Sequence, residues 1–223
     1  MIAIKNLNIT KIFLGSTELR NIAIGDELLL SSDLPYDAEI EYLETDGNAY
    51  IDTGLTISYN RAIAGKYYVP NANSMIWGSR WTNNYFQYYL RKGGNGDSII
   101  RVNDQTYTFK DSKYIETHEF LFDIGNAYVI FDGARTDFPA PSQLPIQEVN
   151  KKEILFKYWN NGVPSNNYDT KRIYWAKYWE AGVLMRDFIP VRKGSTGYMY
   201  DRVSGQLFGN EASTGDFILG NDI

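Results

Sequence analysis

The sequence predicts an all-β protein, and two observations carry that prediction. Aromatic residues make up 15% of the 223 positions, as 18 Tyr, 11 Phe and 5 Trp, and fall in short alternating runs bounded by Gly, Asn, Asp and Pro. This is the pattern of strands separated by tight turns. Long segments with a 3.6-residue apolar period are absent. The nearest approach, SQLPIQEVN at 142–150, carries a proline and supports at most a turn or two of helix.

Six runs mark strands: AYIDTG (49–54), GKYYV (65–69), YFQYYL (85–90), AYVIFDG (127–133), EILFKYW (153–159) and RIYWAKYW (172–179). The closing stretch RDFIPVRKGSTGYMYDRVSGQLFGN (186–210) reads as a strand through Phe188–Val191, a loop, a returning strand at Tyr198–Tyr200, and a turn that places Gly205 at positive φ. Arg186, Asp187 and Asp201 are placed to pair or to cap these turns. The basic residues here are spread by turns and do not line one strand face, so a phosphate site is not expected.

Composition narrows the function. A chain of this length buries roughly 70–75% of its unfolded surface, enough for a core without staples. With no cysteine, it has neither a disulfide framework nor a thiolate site. Formal net charge is −5, with the basic residues scattered among 27 acidic ones, which argues against nucleic acid. Lys5, Lys11, Arg20, Asp26 and Glu27 interrupt every apolar run near the start, so no signal peptide and no membrane segment are expected.

Two units are expected. KIFLGSTEL (11–19) realigns ten residues later on NIAIGDELL (21–29), each copy a short strand, a Gly-containing turn and a second short strand. Two such units cannot bury a core alone. Residues 1–34 are therefore expected to form an arm that docks elsewhere through Ile12, Leu14, Leu19, Ile22, Ile24 and Leu29. Its partners would be other copies, with a trimer the expectation, or a larger assembly. SSDLPYD (31–37) reads as a linker, and residues 35–223 as one domain.

Three ordered motifs then carry a resemblance. EIEYLETDGNAYIDTGL, IWGSR at 76–80, and YWEAGVLMRDFIPVRKGSTGYMYDRVSGQLFGNEASTGDF together resemble the concanavalin A-like, laminin-G-like jelly-roll domains of gut bacterial and bacteriophage surface proteins. The arm is similar to the short β-arms that precede such domains in phage virion proteins. The resemblance implies a two-sheet antiparallel jelly-roll sandwich. With no catalytic constellation in the sequence, the favoured expectation is a non-enzymatic structural or attachment protein on the virion surface, such as a head fibre, capsid decoration or tail-fibre component. That protein would contact capsid or tail proteins and display a lectin-like module to host glycans. The alternative reading is a bacterial carbohydrate-binding module or glycosidase-related surface protein. The fold alone does not choose between them.

Candidate sites are set by residue chemistry. Sugar rings stack on exposed aromatics while amides hydrogen-bond their hydroxyls. Two loops supply both, Trp81 with Asn83, Asn84 and Tyr85, and Trp159 with Asn160 and Asn161; Trp77 reads as core. Glu39 and Glu41 would share a strand face about 7 Å apart, a spacing that resembles the E-x-D-x-x-E of jelly-roll glucanases. With Glu44 they complete the segment EIEYLE, which departs from it at the centre, where Glu41 replaces the Asp, and reads as a charged strand edge. His118, the only histidine, has no G-x-S-x-G serine and no other histidine to work with, and reads as a polar residue on a half-exposed strand. The loops at 95–98, 166–169 and 209–216 offer oxygens, yet turn chemistry accounts for them. No catalytic residue, metal site or cofactor is expected.

Overall fold

The computed structural model describes residues 34–70, 74–80, 86–94, 97–103, 105–109, 117–141, 144–146, 152–165 and 169–223, and the backbone of four strands between residues 12 and 31. The chain divides into two compact units, residues 1–35 and 36–223. In the first, β1 (Ile12–Leu14) pairs with β2 (Thr17–Leu19), and β3 (Asn21–Ile24) with β4 (Glu27–Ser31), so each copy of the ten-residue repeat is one antiparallel hairpin. The side chains of Ile12, Leu14, Leu19, Ile22, Ile24 and Leu29 lie outside the described residues.

The second unit is built from β5 (Ala38–Glu39), β6 (Leu43–Thr45), β7 (Ile51–Thr56), β8 (Arg61–Tyr68), β9 (Met75–Arg80), β10 (Tyr88–Lys92), β11 (Ser98–Val102), β12 (Gln105–Phe109), β13 (His118–Asp123), β14 (Tyr128–Phe131), β15 (Ala134–Asp137), β16 (Lys152–Leu155), β17 (Trp159–Asn160), β18 (Val163–Pro164), β19 (Lys171–Glu180), β20 (Val183–Lys193), β21 (Thr196–Asp201), β22 (Gln206–Phe208) and β23 (Phe217–Leu219). No helix occurs among the described residues. Each of the six aromatic runs falls wholly or partly on a strand.

These strands form a two-sheet jelly-roll sandwich. The larger sheet runs β15-β14-β13-β8-β19-β20-β21-β22, with β5 added to β20, β6 to β19 and β23 to β6. The smaller runs β12-β11-β10-β9-β16-β7, with β17 and β18 beside β9. Every pairing among these strands is antiparallel except β17 with β9. Neighbours such as β8 and β19 are far apart in sequence, as crossing connections between two sheets require.

Alternation sets the faces. Along β8, Ile63 and Tyr67 point to the partner sheet and are buried, whereas Ala62 and Lys66 lie on the outer face. Phe120 and Phe122 of β13, Tyr178 of β19 and Phe188 of β20 join them in the core against Trp77, Tyr88, Leu90, Ile100 and Leu155 of the smaller sheet. The outer face of the smaller sheet carries a second buried cluster of Met75, Tyr89 and Tyr158. Residues 157–165 therefore cover that side, and the larger sheet keeps the open outer face.

The three motifs turn out to be structural fastenings. In IWGSR, Gly78 has φ +120°, and a Cβ there would lie 2.4 Å from the Tyr88 carbonyl oxygen and 2.6 Å from Tyr89 Cα. Only glycine lets β9 sit this tightly beside β10. In RDFIP, the Arg186 Nε–H donates to the Thr53 carbonyl oxygen of YIDTG at 3.1 Å, tying the larger sheet to β7. In MYDRVSG, fully buried Asp201 accepts from the backbone N–H groups of Asp187 (2.8 Å), Val203 (3.1 Å) and Ser204 (3.2 Å), and Gly205 closes the turn at φ +72°.

The linker expectation needs one correction. Its last residues belong to the domain: Tyr36 is buried against Tyr200 with ring centroids 4.9 Å apart, and the Asp37 N–H donates to Arg192 O at 2.8 Å. The large tyrosine ring finds more apolar area against β21 than in water.

Candidate functional site

The open outer face of the larger sheet can be read from its register, because directly paired residues on adjacent strands share a face. Trp175 pairs with Lys66 and Lys66 with Glu119; Lys177 pairs with Ala64 and Ala64 with Leu121; Trp179 pairs with Ala62, Ala62 with Asp123 and Asp123 with Tyr128. All of these stand on the side opposite the core. Trp175 and Trp179 are four residues apart on one regular stretch of β19, which separates them by about 13 Å along the strand. Both indoles are half-buried. Beside them β8 contributes Ala62 and Ala64, whose single methyl groups form a low floor between the β19 ridge and β13, two strand spacings or roughly 10 Å away.

Two hollows lie on this face, and Trp179 lines both. The first, about 510 Å³, is walled by Trp175, Tyr174, Ile189 and Pro190, with Glu39, Glu41, Lys177 and Arg202 at its rim. It exists because β19 and β20 part beyond their paired stretch. β6 takes over pairing with β19, β5 pairs with β20, and buried Ile40 fills the fork. The second, about 580 Å³, is more polar. It is lined by Asn60, Asp123, Asn126 and Tyr128, and closed by the Ala181–Gly182 hairpin turn. Both volumes fall within the ordinary range for small-molecule sites.

The lysines and arginines named on this face are each paired with a carboxylate. Lys177 Nζ is 3.5 Å from Asp187 Oδ1, Arg202 Nη2 is 2.9 Å from Asp187 Oδ2, and Lys66 Nζ is 3.3 Å from Glu119 Oε1. Arg135 pairs with Asp137 at 2.7 Å and lies over the Tyr128 ring, 4.0 Å from its centroid. Asp123 accepts the N–H and side-chain amide of Asn126, each at 2.9 Å.

The residues singled out from sequence fare differently. Trp81, Asn83, Asn84 and Tyr85 lie outside the described residues. Trp159 does not have the open ring the pattern suggested. It is 8% exposed in β17, under the Lys152 ammonium at 5.5 Å, and its buried Nε1 has no hydrogen-bond partner among the described residues. Asn160 is half-buried, and Asn161 with Gly162 forms the two-residue turn joining β17 to β18, with φ of 49° and 92°. Asn161 is there because asparagine tolerates that conformation before glycine. His118 is a second correction. It is buried at 4% exposure, stacked 5.2 Å from Phe131, with Nδ1 2.7 Å from Asp132 Oδ2. Its partner sits at the tip of the β14–β15 hairpin, which folds back over it.

Glu39 and Glu41 both reach the first hollow, though not as a regular strand pair, since β5 ends at Glu39. Tyr36 Oη donates to Glu39 Oε1 at 3.0 Å, and Asn221 Nδ2 donates to Glu41 Oε2 at 3.1 Å. Both stand on one short segment and so on one wall. A glycosidase needs its two carboxyl groups flanking the bond. Among the described residues the carboxyl with a large upward shift is Glu153, which burial pushes to about 8 against the pull of Arg61. It is 1% exposed inside the sandwich, where no substrate reaches.

Sequence pattern places Trp175 and Trp179 simply as strand residues of RIYWAKYW. A signal for their shared face is nonetheless present, because a spacing of four keeps two side chains on one side of a strand. Ala62 and Ala64 alternate in the same way in RAIAGKYY.

For metals, no group of three or more His, Asp or Glu suited to a cation occurs among the described residues. In the 209–216 loop, Asn210 Oδ1 accepts from Tyr50 N and Ala212 N, as turn chemistry requires.

No protein-family model matches the chain, and no curated protein is similar to it. Among solved structures it is similar to the CBM40 of Ruminococcus gnavus IT-sialidase at 12% identity and a TM-score of 0.34, covering 64% of this chain and 92% of that one.

Proposed function

We propose that residues 36–223 are a non-catalytic glycan-binding module whose binding face is the outer surface of the larger sheet. The observation that carries this reading is Trp179, half-buried between two hollows, with Trp175 on the same strand face and a floor of alanines beside them. Indole faces take the apolar faces of sugar rings, while Asn60, Asn126 and the rim carboxylates take hydroxyls. The single-wall placement of Glu39 and Glu41 supports binding over turnover.

We read the whole chain as a phage virion component, a head fibre, capsid decoration or tail fibre displaying this module at the particle surface. Support comes from the sequence resemblance and from the two hairpins that precede the domain. In this reading residues 1–34 anchor it to other virion proteins or to its own copies.

The test of the binding face is a glycan array probed with the full chain and with Trp179→Ala and Trp175→Ala variants. Wild-type binding that either variant weakens by about tenfold or more, with a melting temperature lowered by no more than about 4 °C, is the expected result. Binding unaffected by both variants places the glycan elsewhere. Deleting residues 1–34 should abolish incorporation into particles, and normal incorporation refutes the anchoring role.

A further inference from the structure

The charge pattern and length of the outer face bear on which glycan it takes, an inference that rests on reading that face as a glycan site. We propose that it takes an extended stretch of a neutral glycan, laid across Trp179 from one hollow into the other, and discriminates against acidic sugars.

Three observations combine. The first is continuity: Trp179 lines both hollows, and Trp175 stands about 13 Å further along the same strand. That separation exceeds one sugar ring, so both indoles are covered together only by a ligand of several units.

The second is the state of the cations. A uronate or sialate carboxylate is held most strongly by a guanidinium or ammonium able to turn toward it. Lys177 and Arg202, the two cations of the first hollow, both converge on Asp187, whose carboxylate is 13% exposed and holds Arg202 through two oxygens at 3.1 Å. The second hollow contains no Lys or Arg among its described lining residues.

The third is the sign of what remains. Glu41 borders the first hollow and Asp123 the second. Glu41 is held by the Asn221 amide and Asp123 by Asn126, neutral partners that leave the carboxylate charge in place, so an incoming anion meets like charge. Two like charges a few ångströms apart at a protein surface repel each other. Hydroxyls, in contrast, find carboxylate and amide acceptors.

The experiment is calorimetric titration of the full chain with two ladders, each running from monosaccharide to hexasaccharide. One is neutral, using cello-, malto- and manno-oligosaccharides; the other is anionic, using oligogalacturonates and colominic acid fragments. Expected is binding to a neutral ladder that tightens by about tenfold or more between monosaccharide and tetrasaccharide, with anionic oligomers about tenfold weaker or worse. Asp123→Asn keeps an acceptor for the Asn126 N–H, gives up the second bond to the Asn126 amide and removes one charge, and should narrow that gap. Preference for an anionic ladder, or equal affinity for monosaccharide and hexasaccharide, overturns the proposal while leaving the face a glycan site. An unchanged gap in Asp123→Asn overturns the assignment of selectivity to the carboxylates. Absence of binding to both ladders, and to every glycan on the array, removes the glycan reading itself.

Discussion

Arg61 Nε stands 3.0 Å from Glu153 Oε1, and this contact joins the two sheets through the middle of the sandwich. Both side chains are almost wholly buried. Arg61 also reaches Glu180 Oε2 at 3.1 Å and donates to the Thr56 carbonyl oxygen at 2.8 Å, while the Tyr88 hydroxyl donates to Glu153. Burial pushes the Tyr178 phenol nearby well above its ordinary range, and Glu153 pushes it the same way.

Because burial raises Glu153 from 4.5 to about 8, the folded state holds this proton more tightly than the unfolded chain. The contribution to stability is fully present below pH 4.5 and is lost as pH rises toward 8. The slope is at most about 1.4 kcal/mol per pH unit. Glu153→Gln keeps an acceptor for Arg61 and should flatten this slope in denaturant titrations between those pH values. A slope identical in both proteins would show that Glu153 titrates normally.

Gly78→Ala tests the fit of β9. The added methyl meets backbone atoms that cannot swing aside, and φ +120° is unfavourable for alanine. The cost should be about 3 kcal/mol or more, seen as a fall in Tm of roughly 10 °C.

Trp159→Ala and Trp179→Ala should separate core from surface. Truncating Trp159 should cost about 3–5 kcal/mol of stability, whereas Trp179→Ala should cost about 1 kcal/mol or less and act on binding. Chemical denaturation of both, beside the glycan array, decides the assignment.

Ala181 occupies the first position of a two-residue hairpin at φ 48°, where Asn or Asp is favoured. Ala181→Asn should gain about 0.5–1 kcal/mol and raise Tm by roughly 2 °C.

The strands are legible in the sequence because alternation of Tyr, Phe and Trp is a local property, and all six runs contribute to strands. The binding face is harder to find. Which tryptophan is open depends on which sheet face is covered, and residues 157–165 cover the smaller sheet by folding back on β9. Trp159 beside Asn160 and Asn161 therefore looks like a loop platform and is a buried residue at a hairpin. The rows Trp175–Lys66–Glu119 and Trp179–Ala62–Asp123 join residues about 50 to 120 positions apart, through a register no local pattern displays. The carboxylates Glu39 and Glu41 stand out by their spacing, yet their position depends on Ile40 filling the fork between β19 and β20.

One edge of the larger sheet ends in β15, four exposed residues held by the Arg135–Asp137 pair. A short charged border of this kind resists strand addition by a neighbour. At this edge, copies brought side by side are therefore kept from fusing into a continuous sheet. In the proposed glycan-binding role, that would leave the broad face of each copy clear, and a dense display would gain avidity through simultaneous engagement without strand pairing between copies.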